Sequence, residues 1–260
     1  MQMVEICQNE LPILPWADPK TARLPGLNPV EPGQWLQIDD AYGAQMARRL
    51  SLMKDHGELV HRLSDDARAA AEELLADVIA EISDKDGFEV HGETVRCPDG
   101  RLVQLDRAQP LLTLGALVQE DFVILQKHGN EHVMTGAILC FPASWSLDQK
   151  FMKSLVKIHI PVDSYTPDIA RRVQRLFDGI QPGRPMWRAN YLSYNDPELF
   201  QPRREEERRC FDRNSPSWLR VERQCMKRLP RSGAVVFSIH SYVLSDQRLK
   251  ELGISLPGGE

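Results

Sequence analysis

The sequence predicts an α+β fold whose C-terminal two-thirds forms one curved antiparallel sheet with helices packed against it. Three observations lead there. FVILQ and HVMTGAILCF are strand-like runs flanking HGNE, a polar glycine-containing turn that makes them antiparallel neighbours. Further on, MWRANYLSY, WLRVERQCMKRL and AVVFSIHSYV repeat the strand pattern, and the turn PRSG joins the last two. The chain also lacks the strand–helix–strand rhythm of a parallel sheet and has no internal repeat.

Taken in order, the first segment is an extended arm over the surface, because Pro12, Pro15, Pro19, Pro25, Pro29 and Pro32 fix its backbone and remove donors. Leu24, Leu27 and Trp35 are expected to pin it down. Two helices follow, over residues 39–54 and 65–83. Ser64 is the expected N-cap of the second, with Asp65 and Asp66 in its first turn. Ala70, Leu74, Leu75, Val78, Ile79 and Ile82 fall on one stripe of that helix. Residues 88–105 read as a short hairpin. Ser146 with Gln149 three residues on is a capping box for a helix running toward Lys153. Thr166, Pro167 and Asp168 open another helix, striped by Ile169, Val173, Leu176 and Phe177 and closed at Gly179. The expectation is five antiparallel strands with two helical insertions. Residues 1–110 supply the arm, helices and hairpin, and residues 111–260 the sheet, as one structural unit. The mixed-charge run RREEERR at 203–209 reads as a solvated loop.

Composition narrows the function classes. The 260 residues carry 32 basic and 37 acidic side chains, a formal net charge of -5, with 42% hydrophobic residues. That is a globular profile, and the acidic balance argues against a nucleic-acid partner. No apolar run reaches the roughly 20 residues of a bilayer span, and the first residues lack a signal peptide's basic and apolar regions. A cytoplasmic protein is therefore expected. Five cysteines at wide intervals, without a C-x-x-C, fit reduced thiols better than disulfides or a zinc site.

A few residues could carry chemistry. His159, in KIHIPVDSY, sits in a segment stiffened by the next proline, which suits an axial metal ligand or a partly buried histidine bonded to a carbonyl. His128 and His132 bracket HGNEH, where the Gly and Asn imply a hairpin tip with both rings in solvent rather than a metal pair. Cys140, in ILCFP, reads as a small core residue. In WLRVERQCMKRL, alternation sends Val221, Arg223 and Cys225 to one side and Arg220, Glu222 and Gln224 to the other. Neither side is purely apolar. Such a strand carries a structural ion pair or lines a polar pocket, where a carboxylate holds a cation and a guanidinium an anion or bound oxygen. Trp187, Arg188, Asn190 and Tyr191 make a second strand of this kind, whose aromatics fit packing. G-x-S-x-G, P-loop and G-x-G-x-x-G motifs are absent.

Six collinear blocks together resemble the family of the haem-dependent oxidative N-demethylase α subunit: LPGLNPVEPGQWLQIDDAYGAQMARRLSLM, LVQEDFVIL, LCFPASWSLDQK, IHIPVDSY, PMWRANYL and WLRVERQCMKRLPRSGAVVFSIHSYV. They run over nearly the whole chain. The resemblance implies a PAS-like sheet holding haem b, used to oxidise a small alkylamine such as dimethylamine with O₂ and release formaldehyde. It also implies electrons from separate flavin and iron–sulfur reductase subunits. By the same resemblance His159 is the proximal iron ligand, Arg188 holds a propionate, and Trp187 and Tyr191 join it in binding the cofactor. Glu222 is then expected to pair with the ammonium form of the amine and take its proton, and Arg223 to act as distal donor. Two positions depart from the family pattern: Ser144 stands where an arginine is expected, and Asp163 where a proline is expected. These put haem affinity or orientation, and the substrate, in question. The alternatives are a non-catalytic haem-binding PAS-like sensor and a haem-free interaction module.

Overall fold

The computed structural model describes residues 6–22, 26–158 and 167–256. Among them, seven strands form one antiparallel sheet and three more a small satellite sheet. The five long strands of the main sheet are those legible in the sequence: β6 (Asp121–His128), β7 (Glu131–Ile138), β8 (Met186–Tyr194), β9 (Trp218–Arg228) and β10 (Val235–Ser245). β9 and β10 pair along their whole lengths, from Arg228↔Val235 to Trp218↔Ser245. β8 lies on the other side of β9, and β6 continues the sheet from β10 to β7.

The sheet's two edges come from the N-terminal part of the chain. β1 (Asn28–Pro29) pairs with β8, and β2 (His61–Leu63) with β7. Edge strands this short leave little unpaired backbone, and Pro29, which has no N–H to donate, fits only at an edge. Residues 88–105 make three strands rather than a hairpin: β3 (Glu89–His91), β4 (Thr94–Arg96) and β5 (Leu102–Gln104).

One face of the sheet is covered by α1 (Tyr42–His56), α2 (Arg68–Ser83) and α3 (Pro110–Leu117), which share a core with Phe122, Ile124, Ile138 and Val236. The stripe of α2 is buried as expected at Ala70, Leu74, Leu75, Val78 and Ile82. Its start is not. Residues 65–67 form a 3₁₀ turn before Arg68, and the Ser64 hydroxyl makes no cap bond, so the carboxylates of Asp65 and Asp66 stand a turn ahead of the helix proper. α3 leaves no periodic signal, because PLLTLGAL is apolar on every side. Gly115 lets α3 approach closely: a Cβ there would meet Met53 Sδ at 2.7 Å and Ile138 Cγ1 at 2.9 Å.

The arm covers the rest of this face. Gln8 N donates to Val243 O at 3.0 Å, and the Trp35 indole, 3% exposed, donates to Ser238 Oγ at 3.1 Å. Leu11, Ile13, Leu14 and Trp16 pack with Leu219, Val221 and Tyr242. Leu27 packs on the opposite face, while Leu24 and Thr166 lie outside the described residues.

The second face carries α4 (Leu147–Lys150), α5 (Leu155–Ile158) and α6 (Pro167–Gly179). Leu155, Val173, Leu176 and Phe177 pack there against Val123, Leu125, Met226 and Val235. The Ser146 hydroxyl meets Gln149 Oε1 at 3.1 Å, but α4 stops at Lys150, because Phe151 turns extended and Met152 takes a φ of 59°. The chain then folds back onto β7, with Met134 N donating to Lys153 O at 3.0 Å. His132 is buried, not in solvent: Nδ1 lies 3.0 Å from Gln174 Oε1 and the ring packs on Phe177. Cys140 is a fully buried core residue. The short α7 (Asp246–Glu251), capped by Ser245, ends the fold.

Candidate functional site

Residues paired across an antiparallel sheet share a face. In the register of β8, β9 and β10, Arg188 lies beside Gln224 and Ile239, Asn190 beside Glu222 and Ser241, and Met186 beside Met226 and Phe237. This is the second face, the one α5 and α6 pack on. It divides in two. Toward one end it is apolar, with Met186 and Phe237 only half buried. Toward the other it is charged, and most of that charge is buried.

The charged half is built around Glu222. Its Oε1 lies 3.1 Å from Arg220 Nη2, and its Oε2 accepts from Gln224 Nε2 at 2.9 Å. Arg220 is 2% exposed and also donates to Leu199 O, Phe141 O and Ser241 Oγ, which makes it a brace for the carboxylate. Arg188 is the looser partner. Burial pulls its guanidinium below the ordinary value, the Glu222 carboxylate opposes that only in part, and its buried Nε has no hydrogen-bond partner. Arg220 Nε is unpartnered as well. Two guanidiniums therefore face one carboxylate, and the local balance favours an added anion.

The structure separates other residues that the sequence reading grouped together. Arg223, adjacent to Glu222, points to the opposite face. There it donates to Trp35 O at 2.9 Å, to Gln34 O at 2.7 Å and to Cys225 Sγ at 3.0 Å, and it stacks 5.3 Å from the Trp187 ring centroid. The bonds to Trp35 and Gln34 tie the arm to the sheet. Trp187 and Tyr191 share that face, Tyr191 packing edge-on against Trp16 of the arm. Strand alternation sends neighbours to opposite sides, so Glu222 and Arg188 share the second face while Arg223, Trp187 and Tyr191 lie on the first. Arg188 and Glu222 remain together; the other three do not join them. His159 and Asp163 lie outside the described residues. α5 ends at Ile158, so the chain enters that segment from the second face.

Ser144 has a φ of 63°, and its hydroxyl lies 2.9 Å from the Tyr194 hydroxyl. Arg209 sits over the same Tyr194 ring, 4.9 Å from the centroid. The charge run 203–209 is correspondingly not all solvated, since Arg204, Glu205 and Glu206 contact Asp148, Lys150 and Gln149 of α4. Reading the residues one strand at a time also missed two buried clusters. Arg49 is fully buried against Asp121 at 2.7 Å. His240, 1% exposed, lies between Asp39 Oδ2 at 2.9 Å and Glu120 Oε1 at 3.2 Å. Burial alone would depress the His240 imidazole, but its contacts with Asp39 and Glu120 win and hold it up at about 9. His240 and Asp39 are 201 positions apart, so no local signal could have joined them.

The family model described as haem-dependent oxidative N-demethylase, alpha subunit-like, matches residues 26–256, from the arm through α7. The chain belongs to that family. Membership carries haem dependence and an oxidative N-demethylase-like, hence oxidoreductase, activity. The family's description names an alpha subunit. No helix among the described residues is long and apolar enough to cross a membrane.

The second face fits haem on its own physical terms. Haem is an apolar disc with two carboxylates on one edge. The face offers half-buried Phe237 and Met186 beside the half-buried Arg188 and the buried Arg220, each with a buried Nε that has no partner. A carboxylate would supply the acceptor that Arg188 lacks.

Proposed function

We propose that this chain is the haem-binding, amine-oxidising subunit of a mono-oxygenase, acting through a PAS-like sheet on a small alkylamine of the dimethylamine type. Haem b would bind on the second face, with His159 as proximal ligand and Arg188 holding a propionate. When bound, it supplies the redox centre at which O₂ is activated. The reaction consumes the secondary amine, O₂, two electrons and two protons, and it gives the primary amine, formaldehyde and water. The described chain has neither a cysteine cluster nor a dinucleotide fingerprint of its own. The electrons in this reading come from separate flavin and iron–sulfur reductase components.

The observation that carries the reading is the Arg188–Glu222–Arg220 array beside an apolar surface on one sheet face. Glu222 is the substrate residue. Arg220 and Gln224 fix its carboxylate, so it can accept an N–H from the amine without first being ordered. An incoming ammonium displaces the neutral Gln224 amide rather than the Arg220 guanidinium, because the charged bond is the stronger. Glu222 then takes the proton and presents the free amine. Arg220 is a positioning residue in this scheme, and Arg223 has no part in it.

The test is the visible spectrum of the purified chain reconstituted with haem b and titrated with dimethylamine. A Soret band that shifts on titration, with formaldehyde formed once electrons are supplied, is the expected result. A band that amine does not perturb would make the chain a haem-binding sensor or move the substrate class. The absence of any band would remove the haem reading.

A further inference from the structure

Asn190 on β8 stands directly opposite Glu222 on β9, and Ser241 on β10 flanks the same carboxylate from the other side. The Cβ atoms of residues opposed in this way lie roughly 5 Å apart, close enough for one small molecule to touch both side chains. Glu222 does not turn toward Asn190. Its oxygens run along its own strand, to Arg220 Nη2 at 3.1 Å and Gln224 Nε2 at 2.9 Å. Ser241 is engaged too, its hydroxyl accepting from Arg220 at 3.1 Å. Asn190 is the uncharged polar group left over: it is half-buried, and its amide hydrogen-bonds to no described residue. Strands disfavour asparagine, and a half-withdrawn amide ordinarily finds a partner, so the local structure gives no reason for this side chain here.

Its place beside a carboxylate decides what it suits. The carboxylate and the amide oxygen are both acceptors, and an ammonium offers donors according to its substitution. A secondary ammonium has two N–H groups, a tertiary one has a single N–H and a quaternary one has none. Glu222 takes one N–H and, in the proposed reaction, its proton. A secondary amine then keeps one N–H in need of an acceptor, whereas a tertiary amine has nothing left to donate. A site that offers an acceptor to a substrate N–H discriminates against the analogue without it, because the acceptor is then left unpaired.

We propose that Asn190 is a specificity-determining residue of the amine site. It accepts the second N–H of a secondary ammonium whose first N–H goes to Glu222, and so selects secondary over tertiary alkylamines. This rests on the reading of Glu222 as the substrate residue.

The experiment uses the full chain reconstituted with haem b and reads binding by the Soret shift, titrating dimethylamine and trimethylamine in parallel. Asn190→Leu, close in size but without an acceptor, is expected to weaken dimethylamine binding about tenfold, the worth of one hydrogen bond to a charged group. Trimethylamine binding should stay as in wild type, so the preference between the two amines falls by the same factor. The melting temperature should not drop, since Asn190 gives up no bond within the protein. Asn190→Gln, which keeps an amide oxygen, should retain part of the preference. An unchanged preference in Asn190→Leu, or equal weakening of both amines, would overturn the proposal. Where Asn190→Leu does not take up haem, Asn190→Ala decides by the same ratio. Glu222→Gln separates the two claims. Loss of the dimethylamine shift there, with the preference untouched in Asn190→Leu, keeps the Glu222 reading and discards Asn190. A wild-type Soret band that neither amine shifts discards the Glu222 reading and Asn190 with it.

Discussion

Arg49 and Arg188 are both drawn from water by the same sheet, on opposite faces, and their surroundings differ in kind. Arg49 gives Nε to Gly115 O, Nη1 to Gln119 O and Asp121 Oδ1, and Nη2 to Glu120 O. Asp121 completes the set by accepting from Cys140 N and Phe141 N. Arg188 faces Glu222 but leaves a buried Nε unpartnered. The Arg49 guanidinium is enclosed and satisfied, as a structural group must be, whereas that of Arg188 is drawn from water with bonding capacity unused. Burial of a charged residue is therefore no indication of function in this protein. Unfinished bonding is the better one.

Asp121→Asn tests that contrast with the largest expected effect. Removing one partner of a buried, fully bonded pair should cost about 3–5 kcal/mol of folding stability, measured by urea unfolding. A loss below about 1 kcal/mol would mean that the face covered by α1, α2 and α3 is not organised by this pair.

Next in size is a pH effect from His240. Its folded value of about 9 lies above the ordinary 6.5, so its stabilising contribution is fully present below pH 6.5 and lost as pH rises through 9. The amount is on the order of 3 kcal/mol, from the linkage between proton affinity and folding. His240→Gln should flatten the stability profile between those pH values. A wild-type profile already flat across that window would show that Asp39 and Glu120 do not hold the proton on His240.

Arg188→Met should behave in the opposite sense to the Asp121 change. Exchanging a half-satisfied guanidinium for an apolar chain is expected to leave haem-free stability within about 1 kcal/mol of wild type. A large loss would make Arg188 structural and erase the difference between the faces. Smallest is the thiol prediction. Burial pushes the Cys140 and Cys225 thiols up to about 12 despite the nearby Arg49 and Arg223, so a thiol reagent at pH 8 should label exposed Cys210 well before either. Early labelling of Cys140 would indicate that the Arg49 side opens in solution.

The extent to which this was legible in the sequence follows from the range of the signals. Period-two alternation and turn chemistry are local, and they gave β6 to β10 and the stripe of α2. α3 is equally local but apolar on all sides, so periodicity had nothing to detect. The edge strands β1 and β2 are two and three residues long, below any pattern. At the site, alternation along β9 already separated Glu222 from Arg223. The resemblance implied a substrate role for Glu222 and a distal-donor role for Arg223, and the strand sends the two side chains to opposite faces. Arg220 was named only as a neighbour, because its bracing of Glu222 depends on Phe141 and Leu199, which are distant in sequence. The Ser146–Gln149 pair was read as a helix cap, whereas Gln149 also holds the loop at Glu205.

The most direct test of the assignment of function to the second face is an equilibrium haem titration of wild type, Arg188→Met and Arg223→Met side by side. Arg188→Met should lower haem affinity about tenfold or more, as expected for one charged hydrogen bond. Arg223→Met should leave affinity unchanged while lowering melting temperature, because its bonds serve the arm. Affinity lost in Arg223→Met and kept in Arg188→Met would place the haem on the other side of the sheet.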